Sequence, residues 1–374
     1  MLLLSREGDT QGVPVVDTAK MAGGPLLQVE HLVTEFQTSR GLLRAVDDVS
    51  FILDKGETLG VVGESGSGKS VLVRSIMNIL PRSANIGGSV IFDGKDTRNL
   101  PRAEAKHFFG TQMAMVFQDP MTSLNPVKRV GRQITDPLRF HLNLNKDQAR
   151  ERALELLRLV GIPEPERRLK QYPHELSGGM RQRIGIAIAL SCNPKLLIAD
   201  EPTTALDVTV QKQILDLLKG LQRELQMAMI LITHDLGVVA GRADRIGVMY
   251  GARFAETADT TTLFRSMRHP YTEALLNSIP RLEHPSHTRL QAISGRPPDM
   301  VNPPKGCRFA PRCRYAQDRC VNEAPSLLPS EDSPGHRFAC FFPVGTAEGE
   351  AALQKNLSSG RTGAGLDLNA EVVG

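Results

Sequence analysis

Hydrophobic and polar positions change rhythm along the chain, and the changes divide it. From Leu27 onward, the short alternating runs "LLQVEHL", "DVSFIL" and "GSVIFDG" are bounded by Gly and Asp. That near-two-residue period predicts half-buried antiparallel strands. Further on, "KLLIAD" and "MAMILITHD" are apolar without alternation, as parallel strands covered on both faces require. Helical spacing lies between these runs. In "NKDQARERALELLRLVGI", Ala149, Ala153, Leu156, Leu157 and Val160 share a face, with Asn145 as cap and Gly161 as stop. "TVQKQILDLLKGLQREL" aligns Val210, Ile214, Leu217, Leu218, Leu221 and Leu225, and "VLVRSIMNIL" aligns Leu72, Ile76, Ile79 and Leu80 ahead of Pro81. The pattern predicts an α/β core with an antiparallel portion at its front.

Beyond Pro280 the periodicity stops. Eleven of the 24 prolines fall between Pro280 and Pro343, together with four of the five cysteines. Such a stretch excludes long helices and central strands, so residues 281–345 read as a small appended module of loops held by its cysteines. Residues 1–25 read as a disordered lead-in with Met21 as an alternative start, and 346–374, rich in Gly and Ala, as a flexible tail. Composition adds exclusions. A net charge of +4 over 374 residues leaves no dense basic stripe, and Trp is absent, both against nucleic-acid binding. The opening "MLLL" is too short for a signal peptide or anchor, and no run reaches about 18 apolar residues. The expectation is a cytosolic chain, in which structural disulfides are rare and membrane contact comes through a partner.

Three stretches carry chemistry. "GESGSGKS" (Gly63 to Ser70) fits G-x-x-x-x-G-K-[ST] between a strand-like run and a helical one. Glycines let backbone N–H groups wrap phosphates, Lys69 reaches the β and γ phosphates, and Ser70 can ligate Mg²⁺. "LLIADEP" ends a strand on Asp200, a second Mg²⁺ ligand, and Glu201, a carboxylate suited to polarising water. "LSGGMRQR" offers the Ser177 hydroxyl and the backbone of Gly178 and Gly179 at a helix start, an anion site.

With that third stretch the chain resembles the ATP-binding cassette family, whose signature reads LSGGQ; Met180 replaces the glutamine, a departure familiar among peptide-type importers. The resemblance covers about residues 26–345 and implies a P-loop core at 26–280, with an antiparallel β subdomain and a helical subdomain at about 119–190. It implies that Gly63, Ser65, Gly66, Gly68, Lys69 and Ser70 bind ATP and that Gln118 in "MVFQDP" senses Mg²⁺ or water. By the same resemblance Asp207 in "TALD" couples two sites, and His234 in "LITHD" touches the γ-phosphate. Phe36 is a candidate for stacking on adenine, although a lone phenylalanine beside a strand is as often core. Ser177, Gly178 and Gly179 would serve ATP held by a second ATPase subunit, so that one chain makes half of each site.

"HPYTEALLNSIPRL" with "GCRFAPRCRYAQDRC" and "GHRFACFFP" is similar to the C-terminal extension of oligopeptide, dipeptide and nickel importer ATPases. The resemblance implies an ATPase at the cytoplasmic face of the inner membrane. It would work beneath two permease subunits fed by an extracytoplasmic binding protein, with peptide as the expected solute. Nickel or another solute is the alternative, and a soluble ATPase acting on nucleic acid or ribosomes the more distant one. Cys307, Cys313, Cys320 and Cys340 stand as C-x₅-C-x₆-C-x₁₉-C, whereas Cys192 reads as a core residue. The residues alone leave disulfides, zinc and an iron–sulfur cluster open. No tight C-x₂₋₄-C pair is present for zinc, and the resemblance implies a [4Fe–4S] cluster. Lys305, Arg308, Arg312, Arg314 and Arg319 crowd the same segment and could offset the charge of such a cluster, or equally that of a four-cysteine zinc site.

Overall fold

The computed structural model describes residues 24–204, 206–279 and 293–368. The expected lead-in at 1–25 therefore falls almost wholly outside the described residues, as does the composition boundary at Pro280. The alternating runs form an antiparallel sheet of four strands in the order Gly41–Leu53, Leu27–Thr38, Ala84–Phe92 and Lys95–Asp96. The apolar runs form the parallel centre of a second, eight-stranded sheet, in the order Arg245–Tyr250, Thr58–Val62, Ala228–Thr233, Leu196–Asp200 and Met113–Val116. Every residue of Thr58–Val62, Leu196–Asp200 and Ala228–Thr233 is buried, the reason these strands show no alternation.

Helices follow the predicted faces with two differences. Asn145 caps Lys146–Leu159 through a capping box with Gln148, and Gly161 leaves the helix at φ +72°. In Val208–Leu225 the buried stripe is Ile214, Leu215, Leu218 and Leu221, whereas Leu225 is exposed. The helix after the glycine loop, Lys69–Ile76, ends earlier than its pattern predicts, because Asn78 turns left-handed at φ +53°; Leu72 and Ile76 are buried, but Ile79 is exposed. Between Met113–Val116 and Leu196–Asp200 the chain is helical, with Val130–His141, Lys146–Leu159 and Gly178–Leu190 packed on one another.

The cysteine-bearing stretch holds only short elements: a 3₁₀ turn at Ala310–Arg312, the helix Asp318–Asn322, and the two-residue strands Leu328–Pro329 and Arg337–Phe338. Those strands lengthen the core sheet, since Arg337–Phe338 pairs with Glu256 and Thr257 of Arg253–Asp259. The flexible tail expected at 346–374 is corrected by a helix, Ala347–Ser359, which is capped by Thr346 and ends at Gly360 with φ +69°. It is fixed by the buried Asn356, whose side-chain amide donates to the carbonyls of Arg314 and Ala316.

Candidate functional site

All the predicted catalytic side chains leave the parallel strands at one end. Val62 runs into the glycine loop, Leu196–Asp200 delivers Asp200 and Glu201, His234 follows Ala228–Thr233, and Gln118 lies two residues past Met113–Val116. The carboxyl edge of a parallel sheet is where such folds place ligands. Glycine is required at Gly68, where φ is +103° and a Cβ would collide with the carbonyl oxygen of Ala45. Gly68 opens the helix Lys69–Ile76, leaving the first-turn amides for an anion.

Glu201 is the hub. Its Oε2 accepts from Gln118 Nε2 at 3.0 Å and from Thr204 Oγ1 at 3.0 Å, with His234 Nδ1 at 3.6 Å. Its Oε1 lies 4.0 Å from Lys69 Nζ. Glu201 itself sits at φ +45°, a conformation that a non-glycine residue keeps only where its surroundings hold it. Lys69 Nζ donates to the carbonyls of Gly63, at 2.6 Å, and Glu64, at 2.9 Å, and its burial pulls the ammonium pKa down while Glu201 and Asp200 push it up.

Asp200 is fully buried. Ser70 Oγ donates to its Oδ1 at 2.8 Å, whereas Oδ2 is buried without a hydrogen-bond partner, with Arg74 at 3.6 Å. Burial pushes its carboxyl pKa up, against the opposing pull of Ser70 and Arg74. A hydroxyl and an unsatisfied carboxylate oxygen are the oxygen donors a magnesium ion takes. Thr204 and Arg74 were not singled out by sequence. Thr204 follows Glu201 by three residues, and Arg74 follows Ser70 by one helical turn, so local spacing carried the signal.

The signature residues stand apart. Ser177 caps Gly178–Leu190, its hydroxyl accepting from the Met180 N–H, and Asp207 caps Val208–Leu225 by accepting from Val210 N–H at 2.9 Å. The two helix starts pack together, since a Cβ on Gly179 would lie 2.9 Å from Val210 Cγ1. Among the described residues, no hydrogen bond or ion pair joins Ser177, Gly178 or Gly179 to Lys69, Ser70, Asp200 or Glu201. Phe36 is half-buried in Leu27–Thr38, opposite Leu43 and Ala84.

Cys307, Cys313, Cys320 and Cys340 are free thiols lining one small apolar cavity with Phe309 and Phe341. Burial pushes all four thiols up, Cys307 to about 11. Among the described residues, no group of three or more His, Cys, Asp or Glu side chains stands in metal-ligating geometry. Four sulfurs from four points of the chain line one apolar pocket, and thiolates are donors that a soft metal would take. For Arg308 and Arg312 the structure corrects the sequence reading. Arg308 is committed to Asp47, Arg312 to Glu64, and Arg319 to Glu323 and the face of Phe341. Cys192 is buried apart from the cluster, beside Ser191.

A family profile described as ABC transporter matches residues 46–204, and one described as oligopeptide/dipeptide transporter, C-terminal region, matches residues 255–320. The oligopeptide transport ATP-binding protein OppD of Bacillus subtilis is 52% identical over 310 residues, covering 82% of this chain and 87% of the relative. The OppD protein of Escherichia coli is 49% identical over 336 residues, covering 90% and 98%. Among solved structures, the dimeric post-hydrolysis state of the ATP-binding cassette MJ0796 bound to ADP and Pi matches with a TM-score of 0.57 and 28% identity. That match covers 63% of this chain and 98% of that one.

Proposed function

We propose, from the premise that this chain belongs to the ABC transporter ATP-binding proteins of the oligopeptide branch, that it hydrolyses ATP to power peptide import through partner membrane subunits. The observation that carries the chemistry is the convergence of Lys69, Gln118, Thr204 and His234 on Glu201, beside the Ser70–Asp200 pair. ATP would lay its phosphates in the glycine loop, and Lys69 would exchange the Gly63 and Glu64 carbonyls for phosphate oxygens. Gln118 and Thr204 hold Oε2 of Glu201, which leaves Oε1 as the oxygen to take a proton from the attacking water. His234 is exposed beside Glu201, and on this reading it would reach the γ-phosphate. Magnesium bound by Ser70, Asp200 and Gln118 would neutralise charge on the transferring phosphoryl group.

Ser177, Gly178 and Gly179, apart from this chain's own loop, serve ATP on a second ATPase subunit, with Asp207 and the exposed Val208 at the contact. Exposed apolar side chains at Phe117, Met121 and Val127 flank Gln118 and offer a docking surface for a permease. No helix among the described residues is long and apolar enough to cross a membrane. Peripheral attachment at the cytoplasmic face of the inner membrane, beneath two permeases fed by a binding protein, follows from this reading. Phe36 is assigned to the adenine.

Cys307, Cys313, Cys320 and Cys340 would hold a [4Fe–4S] cluster, with zinc as the alternative, whose part is to tie the proline-rich loops together. Anaerobically purified protein is then brown, with about four irons per chain; a colourless preparation with one zinc per chain assigns zinc instead. The transport reading is tested in vesicles carrying the permeases, the binding protein and both ATPase subunits. Peptide uptake should require ATP and stop with Glu201→Gln; uptake that continues without this chain overturns it.

A further inference from the structure

The cysteine module reaches the phosphate loop directly. Arg312 lies between Cys307 and Cys313, directly before the latter, and its side chain is buried. All five of its N–H donors are engaged. Nη1 donates to Glu64 Oε2 at 2.6 Å and to Tyr250 Oη at 3.2 Å, Nη2 to Glu64 Oε1 at 2.9 Å and to the Ile293 carbonyl at 3.2 Å, and Nε to the Ser294 carbonyl at 2.8 Å. Glu64 is the first residue after Gly63 in the glycine loop, and its backbone N–H donates to Tyr271 Oη at 2.8 Å. Phe309, from the same turn as Arg312, packs on both Tyr250 and Tyr271. A second arginine of the module, Arg308, reaches the Gly251 carbonyl and Asp47.

This arrangement answers a charge problem. A carboxylate within the loop that receives a polyphosphate opposes ATP by Coulomb repulsion unless a cation is fixed against it. A bidentate guanidinium both neutralises Glu64 and fixes its position. We propose that Arg312 is a positioning residue for ATP binding: it neutralises and orients Glu64, so that the cysteine module presets the phosphate loop of the same subunit. The contact is independent of which group the cysteines hold.

The test uses the assembled transporter, with KM and kcat for ATP and displacement of a fluorescent ATP analogue. Arg312→Ala should raise KM about tenfold or more and weaken binding in parallel, with kcat at saturation changed far less, because a carboxylate is left uncompensated beside the phosphates. Glu64→Gln, lacking that charge, should raise KM only a few-fold. The double variant Arg312→Ala/Glu64→Gln should return to the Glu64→Gln value, a rescue that mere loss of packing does not allow. Arg312→Lys should fall between, keeping the charge without the fork. Metal per chain, measured in each variant, should be unchanged. A KM for Arg312→Ala within twofold of the parent overturns the proposal, as does a double variant as impaired as Arg312→Ala. If Arg312→Ala does not fold, Arg312→Lys and its double with Glu64→Gln carry the same comparison.

Discussion

Asp200 has its Oδ2 buried without a hydrogen-bond partner, the nearest cation, Arg74, standing at 3.6 Å. Its pKa is raised by burial, which fixes the sign of the effect. A carboxylate whose folded pKa lies above its unfolded value opposes folding once pH rises through the unfolded value, about 3.9. Without nucleotide or magnesium, Asp200→Asn should therefore melt no lower than the parent at pH 7, and its advantage should vanish toward pH 3. The same change should remove the melting increase that Mg·ATP gives the parent beyond ATP alone. Scanning calorimetry with and without Mg²⁺ checks both halves, and an Asn variant that melts lower without ligand contradicts the assignment. Glu201 gives the complementary case. Glu201→Gln keeps Lys69 and the loop intact, so ATP binding should persist while turnover falls by about 10² or more. Lys69→Ala should lose binding first. Single-turnover hydrolysis beside nucleotide binding separates the two.

At the scale of elements, what was legible in sequence is what local chemistry decides. Asn145 and Gly161 announced both ends of one helix because caps and left-handed stops act within a few residues. Asn145→Ala should remove the capping box and destabilise the domain by about 1 kcal/mol, measured by urea unfolding, with kcat unchanged. The glycine loop, the acidic pair and His234 were legible for the same reason, each lying at the end of a strand recognisable from its own residues. Long-range decisions were not. Helix Ala347–Ser359 has a weak apolar stripe, and its place depends on Asn356 bonding to the carbonyls of Arg314 and Ala316, some forty residues away. The early end of Lys69–Ile76 depends on one left-handed residue, Asn78, which the apolar spacing through Ile79 and Leu80 concealed. Two arginines among the cysteines misled because nearness in sequence says nothing of direction: Arg308 and Arg312 turn toward Asp47 and Glu64.

For the whole molecule, the question is whether one chain suffices for turnover. The residues proposed to polarise water and hold magnesium surround Glu201 and Asp200, whereas Ser177, Gly178 and Gly179 open a different helix with no bond to them among the described residues. That helix start packs against Val210, two residues past the exposed Val208, and on the proposed reading it would meet another subunit's nucleotide across an interface. The isolated chain should then bind ATP but hydrolyse it slowly, and activity should rise with the concentration of a second ATPase subunit, whether a second copy or a paralogue. Complementation gives the sharper form of the test. A subunit carrying Ser177→Arg has an intact Glu201 but an obstructed signature, and a subunit carrying Glu201→Gln has the reverse. Each pairing of a variant with itself should be nearly inactive. The mixed pair should regain up to about half the parent rate when the two are copies of this chain, because one of its two composite sites is complete. Equal, concentration-independent turnover from a chain shown to be monomeric by light scattering would mean that the signature serves its own loop.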